Sequence, residues 1–139
     1  MLSNFRFHHI GVAVKSIEAT AAVYVAGGYL QSVTTFDPIQ NVNICWLEKE
    51  NMPLIELLEP VNESSPVSKT LEKNGVTPYH ICYIVDNLEE ATAELRRMRY
   101  VQVSKPAEAV AINNCRVAFY FNKNVGVIEL VEEPAVITK

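Results

Sequence analysis

Two histidines and two glutamates recur at matched positions in the two halves of this 139-residue chain. His9 opens the segment His-Ile-Gly-Val-Ala-Val, and His80 opens His-Ile-Cys-Tyr-Ile-Val 71 positions later. Glu56 lies within Ile-Glu-Leu, and Glu129 lies within the same tripeptide 73 positions later. Imidazole nitrogens and carboxylate oxygens suit a divalent transition metal. The spacing therefore predicts one metal site that takes a histidine and a glutamate from each half.

The elements that must position these residues repeat in the order βαβββ. In the first half, Ser16 is the predicted cap of a helix over Ile17–Ala26 that stops at Gly27-Gly28. The strands of this half are predicted over Phe7–Val14, Tyr29–Thr35, Val42–Leu47 and Leu54–Leu58. In the second half, Asn87 caps a helix over Leu88–Arg97, and the strands are predicted over Tyr79–Val85, Val101–Ser104, Arg116–Phe121 and Val125–Val131.

This pattern predicts an α+β fold in which two βαβββ modules form one curved mixed sheet around a metal cleft. Neither half buries more than one face of its sheet, so neither is expected to be stable alone. We expect a single domain, with module one over about 5–60, a linker over 61–76 and module two over about 77–133. The linker holds a short predicted helix that begins at Ser65-Pro66 and runs through Lys73, before Gly75.

Side chains alternate between the two faces of a strand, so His8 and His9 point in opposite directions. The repeat selects His9 as the ligand, because its counterpart is His80 and Tyr79 takes the place of His8. A site of two imidazoles and two carboxylates suits Co, Zn, Ni, Mn or Fe(II) and leaves positions open for water or substrate. Buried carboxylates need such a partner, because an unpaired buried charge is costly.

Several other residues have weaker claims to a function. Cys82 shares the face of His80 and is either a soft ligand or a small buried residue. His8 is a spare ligand or an outward-facing residue, and Trp46 either lines the pocket or fills the core. Three arginines close the second predicted helix, where cations interact favourably with the helix dipole, or else bind a phosphorylated ligand: Arg96, Arg97 and Arg99.

The composition excludes several classes of protein. The net charge is -4, which argues against nucleic acid and anionic membranes as partners. No apolar run approaches the roughly 18 residues of a membrane span. Three scattered cysteines, without a C-x-x-C pair, favour free thiols in a reducing compartment. With a short polar N-terminus, this predicts a cytoplasmic protein.

The sequence resembles the vicinal oxygen chelate superfamily, which includes glyoxalase I, over nearly its whole length. Within it, the chain is most similar to methylmalonyl-CoA epimerases. That resemblance is carried by His9-Ile-Gly-Val-Ala-Val, Ile55-Glu-Leu-Leu-Glu-Pro60, Ser65-Pro-Val, Tyr79-His-Ile-Cys-Tyr-Ile-Val-Asp-Asn-Leu88 and Gly126-Val-Ile-Glu-Leu130. The resemblance implies that His9, Glu56, His80 and Glu129 hold one divalent metal ion per chain. It also implies metal-assisted removal of a proton next to a carbonyl, with Glu129 as the base.

Three functions remain open at this point. The first is an epimerase-like isomerase or lyase that acts on an acyl-CoA or an α-oxo compound. The second is a glyoxalase I-like lyase, which Glu56 at the second ligand position favours. The third is a non-catalytic small-molecule binding protein, which is favoured by the lack of a second acidic residue around Val42–Trp46, where the bacterial epimerases carry one. The resemblance also implies a homodimer, because exposed sheet edges need cover.

Overall fold

The computed structural model describes residues 4–139 and has the α+β architecture that the sequence predicts. Those residues form ten strands and three α-helices. Contacts group them into two compact units, one of residues 9–79 with Lys139 and one of residues 4–8 with 80–138. The elements are β1 (Arg6–Ala13), α1 (Ile17–Ala26), β2 (Leu30–Gln31), β3 (Thr35–Asp37), β4 (Val42–Glu48), β5 (Ile55–Pro60), α2 (Pro66–Asn74), β6 (Thr77–Val85), α3 (Leu88–Arg97), β7 (Val101–Gln102), β8 (Ala107–Ala109), β9 (Cys115–Asn122) and β10 (Gly126–Glu132).

The unit of residues 9–79 has strand order β2-β4-β5-β1, with β3 paired to β4. β1 runs parallel to β5, and the other pairs are antiparallel. Helix α1 begins where the Ser16 hydroxyl accepts a hydrogen bond from the Ala19 amide at 3.1 Å, and it ends at Gly27. Its buried side packs on a core of Val14, Ile17, Ala21, Cys45, Leu47 and Leu57. One face of this sheet is thereby covered by α1.

The unit of residues 80–138 repeats this arrangement with strand order β6-β10-β9-β7, and β8 pairs with β9. β6 runs parallel to β10, as β1 does to β5. Helix α3 begins where the Asn87 side chain accepts from the Glu90 amide at 2.9 Å. Its core consists of Val85, Leu88, Ala91, Leu95, Tyr100, Ala118, Tyr120, Ile128 and Leu130. The bounds predicted for α1 and α3 from their caps and apolar spacing are confirmed.

The strands after each of these helices differ from the prediction. The segment predicted as one strand over Tyr29–Thr35 is broken into β2 and β3. The strand predicted over Val101–Ser104 ends at Gln102, and the chain then forms β8 and a short 3-10 helix over Val110–Ile112 that the sequence did not indicate. The first break lies at Ser32 and the second at Ser104, and in each case the serine side chain replaces a backbone hydrogen-bond acceptor.

No helix formed by residues 4–139 has the length and hydropathy of a membrane span.

Candidate functional site

In each unit, the face of the sheet that turns away from the helix carries a histidine, a glutamate and an aromatic residue. In the first unit, the sequence neighbours of the glutamate and of the aromatic residue pack against α1. They are Ile55 and Leu57 beside Glu56, and Cys45 and Leu47 beside Trp46. Strand alternation therefore sends Trp46 and Glu56 to the opposite face. In the second unit, Ile128 and Leu130 pack against α3 and leave Glu129 on the opposite face.

His9 and Glu56 form a buried pair in the first unit. The His9 Nε2 atom lies 3.2 Å from Glu56 Oε1, and the two side chains are 0% and 4% exposed. Gly11, two residues after His9, lies in register with Glu56 across the parallel β1–β5 pair. Because glycine has no side chain, the strand next to the carboxylate leaves space for it.

His80 and Glu129 repeat that pair in the second unit. The His80 Nε2 atom lies 3.2 Å from Glu129 Oε1, and both side chains are buried. Cys82, two residues after His80, lies in register with Glu129 across the parallel β6–β10 pair. Cys82 is thus the counterpart of Gly11, a small buried residue beside the carboxylate.

Each pair has the spacing of two neighbouring ligands on one metal ion. Donors that lie about 2.1 Å from an ion are about 3.0 Å apart at a right angle and about 3.4 Å apart at the tetrahedral angle. The 3.2 Å found in both units falls between these values. The same distance also permits a direct hydrogen bond between imidazole and carboxylate. Each unit therefore offers one nitrogen and one oxygen donor with metal-compatible geometry.

An aromatic ring contacts the histidine of each pair: Trp46, for which a place in the pocket was one of two expectations, and Phe119, which was not expected there. Trp46 meets the His9 ring with centroids 4.9 Å apart and planes inclined by 76°. Phe119 meets the His80 ring at 5.3 Å and 84°. Trp46 lies opposite Glu56 in the β4–β5 ladder, and Phe119 lies opposite Glu129 in the β9–β10 ladder. The signal was present in the sequence, since these aromatics are separated by the same 73 positions as the two glutamates.

A serine hydroxyl fixes the backbone of each aromatic residue. Ser32 Oγ accepts a hydrogen bond from the Trp46 amide at 2.8 Å, and Ser104 Oγ accepts from the Phe119 amide at 2.9 Å. In both cases the side-chain oxygen takes the part of a strand carbonyl. The strands β2 and β7 consequently stop before these serines.

The remaining candidates have other partners. His8 is buried, and its Nε2 atom lies 2.6 Å from the carbonyl oxygen of Ala135, so it interacts with the C-terminal segment. Trp46 is only 1% exposed and contacts a predicted ligand, so it is both buried and part of the site.

No acidic residue occurs between Val42 and Leu47 of strand β4. Its single carboxylate, Glu48, is at the strand end and pairs with Lys139 Nζ at 3.4 Å. The neighbouring strand β3 ends in the buried Asp37, which accepts hydrogen bonds from the amides of Ile39 and Gln40 and from the Gln40 side chain. Because its carboxylate accepts these three hydrogen bonds, Asp37 stabilises its own turn and is not offered to the site as a second acidic group.

The fold and the repeated His–Glu pairs define a protein of the glyoxalase class, and comparison with known families agrees. Residues 8–119 match the Glyoxalase/Bleomycin resistance protein/Dioxygenase superfamily. The chain belongs to this superfamily.

Within the superfamily, the chain is similar to methylmalonyl-CoA epimerases, as the sequence motifs predicted. It is 35% identical over 95 residues to the ethylmalonyl-CoA/methylmalonyl-CoA epimerase of Cereibacter sphaeroides, and the aligned residues cover 66% of this chain and 69% of that protein. It is 29% identical over 124 residues to the mitochondrial methylmalonyl-CoA epimerase of Mus musculus, covering 87% and 68% of the two chains. A Streptomyces coelicolor methylmalonyl-CoA epimerase variant in complex with 2-nitronate-propionyl-CoA superposes with a TM-score of 0.82 at 27% identity, covering 99% of this chain and 100% of the other.

Proposed function

We propose that this chain is a metal-dependent isomerase that removes the proton between the two carbonyl groups of an acyl-CoA such as methylmalonyl-CoA. The observation that carries the proposal is the buried histidine–glutamate pair, repeated with the same 3.2 Å spacing in both units. The similarity to epimerases over most of the chain favours this reaction over the others of the superfamily.

The metal site in this proposal takes both pairs as ligands of one divalent ion, namely His9, Glu56, His80 and Glu129. Each of the four buried side chains offers one ligand atom. Two donors from one unit would leave most coordination positions to water. Four donors hold the ion more firmly and still leave positions open for substrate when the ion is five- or six-coordinate. Two carboxylates also balance the charge of a divalent ion. The four N/O donors suit Co, Zn, Ni, Mn or Fe(II).

Glu129 is the proposed base. Its flanking residues Ile128 and Leu130 are buried on the α3 side, which fixes the strand that presents the carboxylate. A bound divalent ion supplies Lewis-acid stabilisation of the negative charge that develops on the substrate oxygens. The Glu129 carboxylate accepts the α-proton, and the Phe119 ring next to His80 helps to keep water away from that transfer.

The test is exchange of the α-proton of methylmalonyl-CoA for deuterium in heavy water, followed by NMR. Protein treated with a chelator is expected to be inactive, and adding back Co²⁺, Zn²⁺, Ni²⁺ or Mn²⁺ is expected to restore exchange. His80→Ala should lose the exchange, whereas Glu48→Gln, which changes a carboxylate outside the two pairs, should keep it. Metal-loaded protein that exchanges no α-proton would refute the isomerase and favour the non-catalytic binding protein.

Two further properties predicted from the sequence, a cytoplasmic location and a homodimeric state, remain predictions.

A further inference from the structure

The C-terminal end of α3 carries a concentration of positive charge that the proposed reaction does not use. Three arginines, Arg96, Arg97 and Arg99, lie within four residues of a chain whose net charge is -4. All three are exposed. Lys105, also exposed, follows in the segment between β7 and β8. A cationic surface of this kind attracts phosphate groups.

The duplication shows that the fold does not require these cations. Helix α1 is the counterpart of α3, has the same length of ten residues and ends in the same type of turn, yet its last turn contains no basic residue. At the repeat spacing of 71 positions, Val25, Ala26 and Gly28 stand where α3 has its three arginines. Because both helix ends present the same dipole, the dipole alone does not explain the charge on α3.

The arginine nearest the sheet lines a groove. Arg96, Gln102, Val103, Ser104 and Lys105 surround a space of about 360 Å³ that no carboxylate lines. Arg96 Nη2 donates to Gln102 Oε1 at 3.0 Å, and Gln102 Nε2 donates to the Ser104 carbonyl at 3.0 Å. The bond to Gln102 orients the guanidinium and uses one of its five N–H donors, so the others are available to a ligand. The groove is therefore a positively charged site with an oriented arginine.

Nearby acidic groups do not neutralise this charge. Glu89, in the adjoining cavity, is held by both terminal nitrogens of Arg116 at 2.7 and 2.9 Å. In the part of the chain that the structure describes, no carboxylate forms an ion pair with Arg96 or Lys105.

The groove is also close to the proposed base within the same unit. Ser104, in the groove wall, hydrogen-bonds the Phe119 amide, and Phe119 lies opposite Glu129 in the β9–β10 ladder. Two strand spacings of about 4.8 Å place the backbone of Ser104 about 10 Å from that of Glu129. β7 is the last strand of this unit. The pantetheine chain of a bound coenzyme A can therefore pass around the edge of β7, from the face covered by α3 to the face that carries Glu129. The pantetheine arm of coenzyme A is longer than this backbone separation of Ser104 and Glu129.

We infer that the groove lined by Arg96 and Lys105 binds the phosphate groups of the 3′-phosphorylated adenosine diphosphate end of the acyl-CoA substrate. This inference rests on the proposed function for the identity of the ligand. Arg96 makes charge-assisted hydrogen bonds to the phosphate oxygens, and Lys105 contributes a second positive charge.

The test measures binding separately from catalysis. Adenosine 3′,5′-bisphosphate, which lacks the thiol and the acyl group, is titrated into the full chain by calorimetry. We expect the double variant R96E/K105E to bind it about tenfold or more weakly, since each lost cation removes charge-assisted hydrogen bonds. The neutral pair R96Q/K105Q should give an intermediate loss. The control K69E/K73E makes the same change of charge on the exposed face of α2 and should bind as the original chain does.

A second experiment measures the kinetics of α-proton exchange. R96E/K105E should raise KM for methylmalonyl-CoA while kcat stays unchanged, and exchange of methylmalonyl-pantetheine, which has no nucleotide, should be unaffected. Equal affinity of R96E/K105E and the original chain for the bisphosphate would overturn the inference. Inorganic phosphate that competes as well as the bisphosphate would overturn the assignment to acyl-CoA. Absence of α-proton exchange in the original chain would refute the proposed function, while the bisphosphate titration would still decide whether the groove binds phosphates.

Discussion

Trp46 meets the imidazole of His9 edge to face, with ring centroids 4.9 Å apart. Phe119 repeats this contact with His80, and each aromatic lies opposite the glutamate of its own unit in the sheet. A serine hydroxyl holds the backbone amide of each aromatic. The repeat thus includes the residues that orient the predicted ligands as well as the ligands themselves.

The first prediction concerns Trp46. Trp46→Leu removes the ring that restricts the His9 imidazole, and we expect metal affinity to fall about tenfold, the effect typical of a residue that positions a ligand. Competition with a chromophoric chelator measures this loss. Trp46→Phe keeps an aromatic edge and should retain most of the affinity. Equal metal affinity of Trp46→Leu and the original chain, with thermal unfolding of both metal-free proteins as the control for folding, would contradict this role.

The second prediction concerns the ion itself. Purified protein should contain about one divalent ion per chain, and His80→Ala should lose most of it, because imidazole nitrogens are strong donors for these metals. Cys82→Ala should keep the full metal content, because Cys82 occupies the small position that Gly11 has in the other unit. Elemental analysis after gel filtration measures both. Loss of metal from Cys82→Ala would instead make the thiol a ligand.

The third prediction concerns stability in acid. Hydrogen bonds from Arg116 lower the pKa of Glu89 from 4.5 to about 2. Arg116 also lowers the pKa of Glu132, which accepts a further hydrogen bond from the Leu88 amide. A carboxylate whose pKa is lower in the folded protein stabilises it above the unfolded pKa and loses this effect as the pH falls through the folded pKa. Arg116→Gln should therefore lower the melting temperature at pH 7, and the difference should shrink as the pH falls from about 4.5 to about 2.

That comparison is made on metal-free protein, so that protonation of the metal ligands affects both samples equally. Lys123→Gln, which removes an exposed cation from the turn between β9 and β10, serves as the control and should leave the melting temperature nearly constant at each pH. A difference between Arg116→Gln and the original chain that stays constant from pH 7 to pH 2 would show that the ion pairs contribute nothing.

Local signals in the sequence sufficed for the elements that carry the site. Ser16 and Asn87 accept hydrogen bonds from the first turns of their helices as their residue type predicts, so both helices begin where expected. The breaks at Ser32 and Ser104 could not be predicted, because they depend on amides from strands that are distant in sequence, Trp46 and Phe119. The groove at Arg96 could not be predicted either. Gln102 orients the guanidinium of Arg96 only when β7 is paired with β9 in the folded sheet.

The fourth prediction concerns assembly. Strands β2 and β7 end the sheets of their units and have only two residues each, and both carry exposed apolar side chains, Leu30 and Val101. These exposed apolar side chains favour association with a second copy of the chain. We expect a homodimer, and light scattering at micromolar concentration should give twice the chain mass of 15.6 kDa. A monomeric mass under these conditions would contradict it.

The fifth prediction concerns the base and the stereochemistry of exchange. Epimerisation needs a proton removed on one face of the substrate and another delivered to the opposite face. The proposed base Glu129 accounts for the first step. The single carboxylate of β4, Glu48, is at the strand end and pairs with Lys139, and Asp37 is engaged by its own turn. Exchange of the α-proton with solvent through Glu129 alone returns deuterium to the same face. We therefore expect washout of the α-proton of methylmalonyl-CoA to be faster than its racemisation.

Glu129→Gln distinguishes the base from a mere ligand. Glutamine has the same shape and an amide oxygen that can still bind metal, but that oxygen does not accept a proton at neutral pH. With metal loaded, we expect Glu129→Gln to lose washout by two or more orders of magnitude, the usual range for a general base being about 10²–10⁴-fold. Glu56→Gln is the matched control, because Glu56 has the same distance to its histidine in the other unit. It should keep washout once metal is loaded. Washout that persists in metal-loaded Glu129→Gln and disappears in Glu56→Gln would transfer the role of base from one unit to the other.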